Sequence, residues 1–96
     1  MIKVEVSKDC ISISGHANYE EYGKDIVCAA VSSTVLTTIN GILSIDNNSI
    51  KVKEGNNLKI IIINHTDIVD KLLDNMIRCL KEIENKYEKN IKIKEE

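Results

Sequence analysis

From Ile26 to Ile45 the chain runs twenty residues without one charged side chain. A surface helix normally carries a polar face, so an uncharged helix must be covered on more than one side. Asp25, a residue type that caps helix starts, stands in front of the run, and Asp46-Asn47-Asn48 breaks it as a turn. The run has the length of a membrane span. Eight of its twenty residues, however, are Ser, Thr, Asn or Gly: Ser32, Ser33, Thr34, Thr37, Thr38, Asn40, Gly41 and Ser44. That is too wet for a span, so no membrane partner is expected. The reading is a core helix from Asp25 to about Ile45, sheathed by a sheet on one side. A second helix or another subunit must take the other side, so a homodimer is expected, touching through this helix or a sheet edge.

The rest of the chain supplies the sheet. Ile2, Val4 and Val6 alternate with Lys3, Glu5 and Ser7, and Ile11 and Ile13 with Ser12 and Ser14. Period-two patterns about a Lys8-Asp9 turn read as a hairpin ending at Gly15. Ile50 and Val52 alternate with Lys51 and Lys53, and Gly55-Asn56-Asn57 turns the chain into Leu58–Ile63. That second run is apolar apart from Lys59, which predicts a central strand buried on both faces. A second helix is expected from about Asp67 to Tyr87, with a stripe of Ile68, Leu72, Met76, Leu80 and Ile83 widened by Val69, Leu73 and Ile77. Cys79 sits beside the stripe, as core or boundary. Ile91 and Ile93, flanked by lysines, form a last strand at a sheet edge. The fold class is therefore α+β. It is a single small domain over residues 1–96, in the order strand, strand, helix, strand, strand, helix, strand. The sheet is mixed but mostly antiparallel, packed with two long helices.

Composition narrows the function. The formal charge is −2, and the basic residues of the last third are interleaved with acids. This argues against direct nucleic-acid binding, which depends on neutralising phosphates. Three cysteines without a CxxC pair, and no signal-peptide pattern before Lys3, point to reduced thiols and a cytoplasmic protein. Cys10, Cys28, Cys79, His16 and His65 show no metal-ligand spacing, so neither a metal nor a cofactor is expected. His65 reads as a polar residue near a helix cap.

One constellation remains. With Asp25 as cap, Cys28 is the third helical residue, where unpaired amides and the helix dipole favour thiolate over thiol. A nucleophilic thiolate needs a proton acceptor, and imidazole is the usual one. His16 leaves the second strand and lies across a short loop from Asp25. Gly15 beside it reads both as a strand end and as clear space next to the imidazole. The loop from Ala17 to Lys24 holds Tyr19, Glu20, Glu21 and Tyr22. It reads as a mobile lid over a peptide, with Gly23 as hinge and Tyr19 and Tyr22 as substrate contacts, or as a fixed polar loop.

Gly15-His16-Ala17, followed by Tyr22-Gly23-x-Asp25-Ile26-Val27-Cys28-Ala29-Ala30-Val31-Ser32, resembles the signature of the ribosomal-processing cysteine protease family, Prp. The resemblance implies a cysteine endopeptidase with a Cys-His dyad. Its nucleophile falls on Cys28 and its base on His16, with Asp25 and Ser32 at the family's supporting Asp and Ser. It implies as substrate the N-terminal extension of large-subunit ribosomal protein L twenty-seven, cut after an aromatic pair. It also implies homodimers. The competing reading is a non-catalytic, ribosome-associated binding module, in which Cys28 would be an inert thiol.

Overall fold

The computed structural model of the protein describes residues 1–15 and 22–96. Its elements are β1 (Ile2–Val6), β2 (Cys10–Ser14), α1 (Tyr22–Ile45), β3 (Ile50–Lys53), β4 (Leu58–Ile62), α2 (Asp67–Lys86) and β5 (Ile91–Glu95). They form a five-stranded sheet in the order β3-β4-β2-β1-β5. Three pairings are antiparallel; only β1 and β5 run parallel. The parallel pair follows from the α2 crossover, whereas β1–β2 and β3–β4 are local hairpins.

One face of the sheet is core and the other is not. Ile2, Val4, Ile11, Ile13, Ile50, Ile60, Ile62 and Ile91 are buried in one cluster with Val27, Val31, Val35, Ile39 and Ile42 of α1 and Val69, Leu73, Met76 and Leu80 of α2. The buried residues recur every three or four positions along both helices, as one packed face requires. The α2 stripe is rotated slightly from expectation. Val69 and Leu73 are buried, whereas Ile68 is largely exposed. Thr66 caps α2, its hydroxyl accepting from the Val69 amide at 3.2 Å. At the far end a Glu84 carboxylate oxygen accepts from the Ile93 amide at 2.7 Å, tying α2 to β5.

Two expectations are corrected. β4 is interior, between β3 and β2, but only Ile60 and Ile62 are buried; Lys59 and Ile63 are exposed. The continuous apolar run promised two covered faces, yet both helices pack in the one core cluster, so among the described residues no helix covers the other face. The second correction concerns α1, which begins at Tyr22 and not after Asp25. Asp25 is thus the fourth helical residue and not the cap. Residues 22–24 include no proline, and Gly23 costs about 1 kcal/mol in a helix, too little to stop one already propagating.

Candidate active site

Gly15 ends β2 with φ +81°, in the left-handed region that favours glycine. A Cβ there would collide with the carbonyl oxygen of Met1. The requirement for glycine is therefore structural: the end of β2 passes tightly over the start of β1. His16 follows at once and lies outside the described residues, as do Tyr19 and most of the expected lid, 17–21. The lid's last residues, Tyr22 to Lys24, belong to α1, so the hinge proposed at Gly23 is helix.

The chain re-enters at α1, where Cys28 is the seventh helical residue, half-buried against the core. The helix-terminus effect fades within the first turn. Placing Cys28 in the second turn removes most of the electrostatic help expected from an Asp25 cap, so a proton acceptor matters more. The spacing of Asp25, Cys28 and Ser32, three and then four residues apart, puts all three on one side of α1.

Ser32 opens onto a cavity of about 230 Å³, lined by Ile13, Val31, Ser32, Val35, Leu36, Glu54, Gly55 and Leu58. Its walls come from β2, the stretch of α1 from Val31 to Leu36, the β3–β4 turn and the start of β4. Ile13 is two residues before Gly15, and Ser32 one turn after Cys28. The apolar cavity therefore lies between β2, two residues before Gly15, and the part of α1 that begins one turn after Cys28. A dry cavity of about 150 Å³ accepts benzene, so this one has room for an aromatic or branched side chain. No sequence motif announced it, because its walls come from segments far apart in the chain.

His65 has a definite partner set. Its Nε2 lies 2.8 Å from an Asp9 carboxylate oxygen and its Nδ1 2.8 Å from one of Asp70. The β1–β2 turn is thus clamped to the first turn of α2. With both ring nitrogens facing carboxylates, first the Asp9 bond and then the Asp70 bond raise its pKa above the ordinary 6.5. The cap reading from sequence had no signal for Asp9, 56 residues away. Among the described residues, no group of three or more His, Cys, Asp or Glu side chains is arranged to hold a metal ion. The three cysteines are thiols, all half-buried.

Known proteins carry the same fold and length. The sequence model of the family described as "Cysteine protease Prp" matches residues 1–92. The ribosomal processing cysteine protease Prp of Mycoplasma genitalium is 32% identical over 99 residues, spanning 100% of this chain and 97% of its own. That of Staphylococcus aureus is 28% identical over 88 residues, spanning 86% of this chain and 82% of its own. Crystal structures of an essential ribosomal processing protease Prp from S. aureus superpose over 100% of both chains. The complex with a substrate peptide gives a TM-score of 0.92 at 25% identity. The complex with a covalently linked product peptide gives 0.88 at 26%. The two-helix, five-stranded fold is thus shared over the full length of these structures, and the chain belongs to the cysteine protease Prp family.

Proposed function

We propose that this protease removes the N-terminal extension of a large-subunit ribosomal protein, L twenty-seven, with Cys28 as nucleophile and His16 as base. The observation that supports this is the apolar cavity lined by Ile13 of β2 and by Ser32, one turn after Cys28 on α1. His16 takes the thiol proton as Cys28 Sγ attacks the scissile carbonyl carbon. It returns that proton to the leaving amine as the C–N bond breaks. Water, deprotonated by His16, then attacks the thioester carbonyl. That releases the new carboxylate and restores the thiol. The S. aureus relative's covalently linked product peptide fits such an enzyme-bound stage. An apolar side chain beside the cut, aromatic in the expected substrate, fits the cavity. Tyr19 and Tyr22 are further candidate substrate contacts. Asp25, one turn before Cys28, positions the base. Ser32 sits at the cavity mouth.

The active form is proposed to be a homodimer in the cytoplasm. The outward side of α1 bears Ile26, Ala29, Ser33, Leu36, Asn40 and Leu43, all exposed and none charged. The test of activity is incubation with a peptide spanning the organism's own extension, followed by mass measurement. Two products from the wild-type protein, and none from Cys28→Ala, are expected. Equal cleavage by Cys28→Ala would end the proposal, and an inert wild-type thiol would favour the binding-module reading.

A further inference from the structure

The open face of the sheet gathers charge that the net value of −2 conceals. Strand alternation and register place Lys3, Lys51, Lys53, Lys59, Lys92 and Lys94 on it, all exposed, against a single acid, Glu5. The strands' open rows thus carry six of the thirteen basic residues and one of the fifteen acids. The remainder of the chain is strongly acidic.

Edge protection explains only part of this. Lysines on β3 and β5 discourage pairing with other sheets. Lys3 and Lys59, however, stand on the interior strands β1 and β4. Register also sets Lys53 opposite Lys59 and Lys3 beside Lys92, and like charges directly opposite are destabilising. Among the described residues, none of the six is in an ion pair. A bound polyanion would relieve that repulsion. With strands about 4.8 Å apart, the row Lys53, Lys59, Ser12, Glu5, Lys94 spans about 19 Å. It is wide enough for several phosphates, and the Ser12 and Ser14 hydroxyls between the lysines are neutral donors.

We propose that this face docks the protease on the sugar–phosphate backbone of an RNA duplex. Among the described residues, the strands' open rows hold no aromatic side chain, so the contact they offer is to the backbone, as in shape-based duplex recognition. A membrane surface fits less well, since interfacial binding adds an apolar wedge. Here the sole large aliphatic side chain in the strands' open rows is half-buried Ile61. The choice of RNA among polyanions rests on the ribosomal reading of the substrate, because ribosomal proteins mature against RNA. The face itself is independent of Cys28.

The test therefore uses the Cys28→Ala protein without peptide. Binding to a fluorescent RNA duplex of about 16 base pairs is followed by anisotropy between about 50 and 200 mM salt. Salt-sensitive binding is expected. Lys3→Gln with Lys59→Gln should weaken it about tenfold and flatten the salt slope by about one for each phosphate no longer neutralised. Both changes remove Lys–Lys pairs, so the thermal midpoint should hold. Glu5→Gln should tighten binding. The α2 pair Lys71→Gln with Lys86→Gln, equal in charge, should leave it within about twofold. Equal weakening by the α2 pair overturns the proposal. So does absence of RNA binding in a folded protein, or preference for phosphatidylserine vesicles over the duplex.

Discussion

Cys28 sits in the second turn of α1, so its reactivity cannot lean on the helix end. With His16 as the proposed base, His16→Ala should lower cleavage nearly as far as Cys28→Ala, with an unchanged melting midpoint. Progress curves on the extension peptide decide this. Asp25, relieved of the cap, is proposed as a positioning residue one turn before Cys28. Asp25→Asn should shift the pH profile of kcat/KM and lower kcat, with stability changed by under about 0.5 kcal/mol, the usual range for sites lacking a special role. An unchanged profile would return Asp25 to structure alone. His65 offers a pH dependence. Its pKa is raised in the folded state by Asp9 and then Asp70. A raised folded value stabilises below the unfolded pKa, near 6.5, and the benefit fades as pH rises through the folded value. The melting midpoint of wild type relative to His65→Gln should therefore be highest at mildly acidic pH and decline above neutrality.

The helices differ in what starts them. α2 has a legible start: Thr66 caps it, and Asp67 and Asp70 lie in its first turn. Thr66→Ala should cost about 1 kcal/mol in urea unfolding, and Thr66→Ser little. α1 gave a false start in sequence, because Asp25 has the chemistry of a cap and the uncharged run begins just after it. A capping preference is worth only about 1 kcal/mol. Propagation through three further residues outweighs it when no proline intervenes. Deep in the bundle, Leu80 of α2 is fully buried. Leu80→Ala should cost about 2–5 kcal/mol, depending on how far Met76, one turn away, and the surrounding core collapse into the space.

Among the described residues, two exposed surfaces differ in character. One is the uncharged outer side of α1, the other the lysine-rich face of the sheet. The first is the proposed contact with a second copy. Asn40→Lys with Leu43→Lys, both exposed in the single chain, should convert a dimer to a monomer at tens of micromolar in sedimentation equilibrium. A wild-type monomer under the same conditions would remove the dimer. The helix α1 is long and apolar enough to cross a membrane by length and composition. Within this fold Val27, Val31, Val35, Ile39 and Ile42 are spent on the core.

The sequence by itself determined the element order, the hairpins, the buried side of the alternating strands β1, β2, β3 and β5 and the Gly-His and Asp-x-x-Cys signatures, because these depend on local periodicity and short motifs. Only the tertiary structure decided the strand order, the parallel β1–β5 pair and the packing of both helices in one core cluster, since these are choices among long-range pairings. The same limit hid the cavity wall shared by Ile13, Ser32 and Glu54, the Asp9–His65–Asp70 clamp and the basic face. Each joins residues tens of positions apart, and lysines that alternate singly along the strands look like solvated edges until register sets them side by side.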